Sequence, residues 1–200
     1  MTGSYRTYYV NSKTGRDTND GLTMEFPFAS LFPVNRLDLN PGDKVLLARD
    51  SVFAGQFLQI RSSGTKEQPI EIGSYSPEKE EGNPPLIAAD GQGIWYQDYG
   101  TPLDSPTHVY QGYVSSAVLL YDVKHVILRD LEITNRASEI PGESYSAPHK
   151  MNRTGVAVVA KDKGTCSGIT LRNLSIHDVN GNVYDKHMNN GGIYMTALKP

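Results

Sequence analysis

Apolar and polar residues alternate in short runs along most of the chain, and turn-forming residues separate these runs. Alternation with a period of two is typical of β-strands that bury one face and expose the other. Windows with a helical period are few. The pattern therefore predicts an all-β protein, with strands at residues 7–10, 44–48, 57–60, 69–73, 85–88, 117–121, 126–134, 155–160 and 169–177.

Two of the predicted strands carry the same motif. Leu128–Ile133 and Leu171–Ile176 share the pattern Leu-Arg-polar-Leu-polar-Ile. Repetition of a strand and turn predicts a solenoid, in which each turn of the chain stacks on the one before it. Turns of about 20–25 residues without helices favour a right-handed parallel β-helix over a leucine-rich repeat or a propeller. A two-sheet sandwich is the alternative fold.

The sequence predicts a single domain with two parts. Residues 1–40 form the N-terminal strand and cap of the β-helix, and the apolar segment 26–34 within them suits a short capping helix. Residues 41–200 form the repeated turns, with insertions at about 90–114 and 138–153. A solenoid left open at Pro200 would expose apolar residues and unpaired strand edges. We therefore expect truncation at the C-terminal end, with further chain or an additional polypeptide covering that end.

Charge and cysteine content exclude several classes of partner and cofactor. The 19 basic and 22 acidic residues give a formal net charge of -3 without long runs of one sign, so neither nucleic acid nor a membrane is favoured as a partner. Cys166 is the single cysteine, which rules out an internal disulfide, and no zinc-ligand spacing is present. Residues 11–21 lack EF-hand spacing, so a structural turn is favoured over a Ca²⁺ loop. We expect no metal and no cofactor.

One polar loop concentrates titratable side chains between two strands. Asp178 ends a predicted strand, and Asp185 follows beyond an Asn-Gly-Asn turn. Two carboxyl groups about 5–5.5 Å apart serve a retaining glycosidase as nucleophile and acid/base, whereas about 6.5–9.5 Å leaves room for the water of an inverting enzyme. His177, Lys186 and His187 flank the pair and can tune its pKa values. The alternative is that both aspartates only cap turns.

Candidate sugar contacts lie in this loop and in the two insertions. Aromatic rings stack on the apolar faces of pyranose rings, and Asn and His side chains can bind sugar hydroxyls. The candidate substrate-binding residues are Trp95, Tyr96, Tyr145, His187, Asn189 and Asn190. The alternative is that the aromatic residues seal an insertion against the strands and that the loop residues only hold the turn.

A family resemblance follows from the loop. Asp178 to Asp185, followed by Lys186-His187-Met188-Asn189-Asn190-Gly191-Gly192-Ile193, resembles the catalytic segment of glycoside hydrolase family 136, the lacto-N-biosidases of gut bacteria. The start of the chain, with strand 7–10 and the turn 41–43, is similar more loosely. The resemblance implies a retaining glycosidase with Asp178 as acid/base and Asp185 as nucleophile. The implied reaction releases lacto-N-biose from lacto-N-tetraose, a human-milk oligosaccharide.

The resemblance also implies a location. Glycan-degrading proteins of this type usually work outside the cytoplasm, so we expect a secreted, extracellular or cell-surface protein. The start Met1-Thr2-Gly3-Ser4 lacks the apolar segment of a signal peptide, and no apolar run approaches the roughly 20 residues of a membrane span. A cytoplasmic location is the alternative.

Two other functions fit the same scaffold. A polysaccharide lyase uses a Lys or Arg base, for which Lys186, Arg129 and Arg172 are available, but the near-neutral charge disfavours a polyanionic substrate. A non-catalytic glycan-binding module or adhesin would keep the aromatic residues without the chemistry. Both stand as alternatives to the glycosidase.

Overall fold

The computed structural model describes residues 5–77, 82–98, 111–136, 151–181 and 190–197. Nearly all the regular structure in these ranges is β-strand, as the alternating pattern predicts. The elements are β1 (Thr7–Val10), α1 (Leu31–Val34), β2 (Lys44–Ala48), β3 (Val52–Ala54), β4 (Leu58–Ile60), β5 (Ile70–Tyr75), β6 (Leu86–Ala88), β7 (Ile94–Asp98), β8 (Gln111–Tyr121), β9 (Val126–Asn135), β10 (Asn152–Ala160), β11 (Thr170–Val179) and β12 (Gly191–Ala197).

The strands form two sheets in which almost all neighbours are parallel. Among the described residues, one sheet has the order β1-β2-β5-β9-β6-β3, with β11 also paired to β9. The other has the order β12-β10-β8-β4, with β7 also paired to β8. The β7–β8 pair is antiparallel. Parallel neighbours need crossover connections, so from β8 to β12 the chain alternates between the two sheets. The prediction of an all-β protein built on parallel strands is confirmed.

Strand β9 crosses a corner of the first sheet. Its first residues pair with β5 and its last residues pair with β6. Between them, Asp130 has a left-handed backbone with φ 57°, which Asp and Asn tolerate better than most residues. The neighbouring strand bends at the same level, where Asn173 has φ 52° and its Nδ2 donates to Oδ1 of Asp130 at 2.6 Å. This Asp/Asn pair therefore sets the bend in both strands.

The repeated Leu-Arg motif pairs in register, as predicted. The pairs are Leu128 with Leu171, Leu131 with Leu174, and Ile133 with Ile176. The expected turn length of about 20–25 residues applies to plain turns, and the turns that join these strands contain the predicted insertion at 138–153. Bonded residues of β9 and β11 lie 43 positions apart, and those of β8 and β10 lie 38 positions apart. The alternating pattern marks the strands but not the length of chain that connects them.

Apolar side chains from both sheets fill one interior. Leu128, Leu131 and Ile133 of β9 pack in the same cluster as Val118 and Leu120 of β8, and all five are fully buried. Burial of a Leu, Ile or Val side chain contributes about 1.5–3 kcal/mol. The alternating residues on the outer faces of β9 and β11 are left for polar contacts.

Asn135 holds several segments together at the end of β9. Its side chain is fully buried, and its Oδ1 accepts from the backbone N of Gly91 at 2.9 Å. Its Nδ2 donates to the carbonyls of Ser115 at 3.1 Å and Thr154 at 3.0 Å. A buried amide without partners would be destabilising, so these bonds fix the ends of the strands at one corner. Val179, beside Asn135 in register, brings the end of β11 to the same corner.

The N-terminal part contains the predicted capping helix. Ser30 is the N-cap of α1, its side chain accepts from the backbone N of Phe32, and Leu31 and Val34 are buried. This helix has four residues, and no helix in the described ranges is long and apolar enough to cross a membrane. The division at residue 40 stays a prediction. The predicted first insertion contains β7, and most of the second lies outside the described residues.

Strand β12 carries exposed apolar side chains that align with core residues. Ile193 pairs with Val156 and Met195 pairs with Val158. The two β10 residues belong to the core, whereas Ile193 is 50% exposed and Met195 is 61% exposed. The interior surface of the fold is therefore uncovered at this strand.

Candidate active site

Asp178 occupies a β-bulge near the end of β11. The pairing with β9 shifts register between His177 and Val179, which leaves Asp178 as the extra residue. Its backbone is left-handed, with φ 52°. Bulges are over-represented next to active sites, where they re-aim a side chain. Here 42% of the Asp178 side chain is exposed, so its carboxylate is accessible from solvent.

His177 bridges two carboxylates. Its Nδ1 lies 2.8 Å from Oδ2 of Asp178, and its Nε2 lies 3.0 Å from Oε1 of Glu132. Glu132 pairs with Ser175, two residues before His177, and alternate residues of a strand share a face. Contact with Asp178, followed by contact with Glu132, raises the pKa of His177. Because a neutral imidazole carries one N–H, only the imidazolium donates to both carboxylates.

Arg136 supplies a second cation to Asp178. Its Nη2 donates to Oδ2 of the carboxylate. The hydrogen bond from Arg136, followed by that from His177, lowers the pKa of Asp178. Arg153 donates from Nη1 to the carbonyl of Arg136 and so adds a contact behind it. The described surroundings therefore favour the ionised form of Asp178.

The second aspartate of the predicted pair, Asp185, lies outside the described residues. The distance between its carboxyl group and that of Asp178 stays a prediction. His187, Asn189 and Tyr145 also lie outside the described residues, so their roles as sugar contacts stay predictions.

Asn190 is described, and its amide bonds to the protein on both sides. Its Oδ1 accepts from the backbone N of Arg153 at 2.9 Å, and its Nδ2 donates to Oδ1 of Asn152 at 2.7 Å. These bonds fix the chain where it enters β12. In this arrangement Asn190 holds the end of the loop, as expected if the loop residues only hold the turn. Its role as a sugar contact stays a prediction.

The two aromatic candidates on β7 have different environments. Trp95 is 9% exposed, packs with Val114, and donates from Nε1 to Oγ of Ser116 at 2.9 Å. Tyr96 is 44% exposed and forms an edge-to-face pair with Tyr113, with ring centroids 5.1 Å apart. This placement favours a sealing role for Trp95 and leaves Tyr96 accessible for stacking.

Sequence reasoning missed Glu132 and Arg136. A signal was nevertheless available, because the repeated motif aligns β9 with β11. Extending that alignment from the apolar positions to the polar ones places Glu132 and Arg136 beside the segment that contains His177 and Asp178. The apolar positions of the motif predict the core, whereas the information about the site lies in the polar positions on the outer faces of the same strands.

The chemistry available at this corner is that of a carboxylate between two cations. Such a carboxylate suits a nucleophile or a general base, whereas a general acid must carry a proton when the bond breaks. Both supporting side chains come from β-strands or their ends, which suits a preorganised site. No group of three or more His, Cys, Asp or Glu side chains in the described part of the chain is placed to hold a metal ion.

Comparison with known proteins identifies close relatives. No family model matches the sequence. A lacto-N-biosidase of Bifidobacterium longum subsp. longum is 40% identical over 220 residues, which cover 100% of this chain and 14% of that protein. The crystal structure of the GH136 lacto-N-biosidase from Eubacterium ramulus matches with a TM-score of 0.90 and 63% identity over 98% of this chain and 30% of that chain. Its selenomethionine derivative gives the same values.

A more distant structure shares the fold. A rhamnogalacturonan lyase matches with a TM-score of 0.50 and 18% identity, over 86% of this chain and 37% of that chain. Identity at that level supports a common fold and says nothing about activity. The resemblance to family 136 is confirmed by the two closer relatives, although the chain spans less than a third of their length. By sequence and by fold, this chain is a homologue of the lacto-N-biosidases of glycoside hydrolase family 136.

Proposed function

We propose that this chain is part of a retaining lacto-N-biosidase that releases lacto-N-biose from lacto-N-tetraose-type oligosaccharides of human milk. The observation that carries this proposal is the match to the Eubacterium ramulus lacto-N-biosidase, with 63% identity and a TM-score of 0.90. Nearly two of every three residues are therefore the same in the shared part of the two proteins. The shared part covers 98% of this chain.

The proposed mechanism uses Asp178 and Asp185 as the carboxylate pair. In a retaining glycosidase, one carboxylate attacks the anomeric carbon while the other protonates the leaving oxygen, and water then hydrolyses the glycosyl-enzyme intermediate. We assign Asp178 as acid/base and Asp185 as nucleophile. Arg136 and His177 support the ionised form of Asp178, which is the form that activates water in the second step. For the first step Asp178 must carry a proton. Its contacts with Arg136 and His177 must therefore change when substrate binds.

Chemical rescue distinguishes the two roles. If Asp178 is the acid/base, an Asp178→Gly variant acting on an aryl lacto-N-bioside, whose phenolate leaves without a proton, should regain turnover with azide and give a glycosyl azide of retained configuration, because the nucleophile is intact. If Asp178 is the nucleophile, azide attacks the substrate directly and gives a product of inverted configuration. The second outcome would exchange the roles of the two aspartates.

The proposal includes the fold and the substrate contacts. We infer that β8, β10 and β12 on one side, and β9 and β11 on the other, are successive turns of a right-handed parallel β-helix, supported by their parallel pairing and by the fold shared with the lyase. Further polypeptide would cover Ile193 and Met195 on β12. The proposed sugar contacts are Tyr96, Tyr145, His187, Asn189 and Asn190, whereas the buried Trp95 is proposed to seal its insertion against the strands.

The enzyme would act outside the cell of a gut bacterium, with no nucleic acid or membrane partner.

The proposal is tested by incubating the full-length protein with lacto-N-tetraose. Chromatography should show lacto-N-biose and lactose in equal amounts, and proton NMR should show the β-anomer of lacto-N-biose first. An Asp185→Asn variant should lower turnover by about three orders of magnitude or more. A product that absorbs in the ultraviolet from a uronate polymer would show a lyase instead, and binding without turnover would show a glycan-binding module.

A further inference from the structure

The contact between Glu132 and His177 adds a second carboxylate to the surroundings of Asp178, beyond the proposed aspartate pair. Glu132 does not touch Asp178 directly in the described contacts, since His177 lies between them with one ring nitrogen toward each carboxylate. Glu132 is on β9 and His177 is on β11, so the contact joins two neighbouring strands. The Glu132 side chain is 31% exposed and the His177 side chain is 45% exposed, so solvent reaches both.

We propose that Glu132 is a positioning residue that holds the His177 imidazolium against Asp178, and that loss of the second ring proton weakens catalysis on the alkaline side of the pH profile. This inference rests on the proposed function of Asp178. When the ring is neutral, one of its two nitrogens presents a lone pair to a carboxylate. That contact then becomes repulsive, and the ring no longer holds the Asp178 carboxylate in position.

The charged groups facing the ring define the direction of the effect. Among the described residues, Asp178 on β11 and Glu132 on β9 are the anions in contact with it, and Arg136, which follows β9, is a cation bound to the same Asp178 oxygen. The anions favour the protonated ring and Arg136 opposes it. Removing the charge of Glu132 therefore makes the ring lose its proton at lower pH, while the contact between His177 and Asp178 is kept.

The test is the pH dependence of kcat/KM in the full-length protein carrying Glu132→Gln. On the alkaline side we expect kcat/KM about two- to fivefold below wild type at the same pH, the range set by an exposed ion pair. On the acid side we expect no difference, because the ring is protonated in both proteins. Glu71→Gln is the matched control, since Glu71 pairs with Lys44 and Arg129 on the same sheet and does not touch His177.

An independent readout comes from NMR of the protein labelled with ¹³C at histidine Cε1, with the resonance assigned by its loss in His177→Gln. The resonance should titrate above the ordinary range of imidazole, move to lower pH in Glu132→Gln, and stay in place in Glu71→Gln. Equal loss of kcat/KM at every pH in Glu132→Gln would show a merely structural role and overturn the proposal, as would an ordinary titration of His177. An inactive wild-type protein with the expected NMR titration would overturn the proposed function, and with it the link to catalysis, while leaving the ion pair in place.

Discussion

Asp130 and Asp178 are two aspartates on neighbouring strands with closely similar local features. Both have left-handed backbones, with φ 57° and 52°, and both accept a hydrogen bond from an arginine, Arg129 in one case and Arg136 in the other. Both have lowered pKa values. Burial raises the pKa of Asp130, but hydrogen bonds from Asn173 and Arg129 outweigh it. Local conformation and charge pairing alone therefore do not distinguish a structural aspartate from a candidate catalytic one.

The difference lies in what covers each carboxylate. The Asp130 side chain is 20% exposed, and Asn173 of β11 bonds to it. Arg129 continues this contact to Glu71 of β5, so hydrogen bonds and ion pairs link side chains of three strands. The Asp178 side chain is 42% exposed and occupies a bulge, where regular pairing is interrupted. Where the pairing of β9 and β11 is regular, Asp130 is partly covered by its neighbours, whereas the bulge leaves the carboxylate of Asp178 accessible.

The largest expected difference between the two positions is in catalysis. Asp178→Asn should lower kcat by about three orders of magnitude or more, because it removes a group proposed to transfer a proton or attack the substrate. Asp130→Asn should leave kcat within about twofold of wild type, as expected for a residue away from the reacting atoms. Hydrolysis of lacto-N-tetraose by the full-length variants measures both. A full-length Asp178→Asn variant with wild-type kcat would rule out the site described here.

The two arginines should separate activity from stability. Arg136→Met should lower kcat by about tenfold, less than the roughly 100-fold loss of a buried donor, because Arg136 is exposed and His177 remains. Arg129→Met leaves Glu71 and Asp130 without their shared cation and should lower the free energy of unfolding by about 1–3 kcal/mol. Urea unfolding and kinetics on both variants show whether Arg136→Met lowers kcat while Arg129→Met lowers stability. Loss of stability in Arg136→Met with unchanged kcat would remove Arg136 from the site.

The repeat in the sequence was sufficient to predict which strands stack, but not where the stack is interrupted. Matching Leu128 with Leu171 predicted the register of β9 and β11 because period-two patterns record which residues face the core. The bulge at Asp178 depends on a register shift between two strands, and one strand's pattern does not record it. The strands β3 and β7 were also missed, and β7 lies within the predicted insertion at 90–114.

The candidate site was predicted in part for a related reason. Asp178 was found because it stands beside a strand end and in a segment that resembles a known family. Glu132 and Arg136 are 45 and 42 positions away from their partners His177 and Asp178. Contacts over such separations follow from stacking of layers, and they become visible only when the polar residues of aligned strands are compared.

The smallest expected effect concerns acid unfolding. Both carboxylates have lowered pKa values, so each stabilises the fold above the ordinary aspartate pKa and loses that contribution as pH falls through its own lowered value. At neutral pH and low salt, Asp130→Asn should lower the free energy of unfolding by about 1 kcal/mol, and the difference from wild type should begin to shrink below about pH 4. Asp178→Asn should have a smaller effect, abolished by about 1 M salt, because screening weakens pairs between exposed charges. Urea titrations at pH 7 and pH 3, with and without salt, measure both. Equal, salt-resistant losses at the two positions would show that Asp178 is held as a structural charge like Asp130, and the distinction drawn from their exposure would fail.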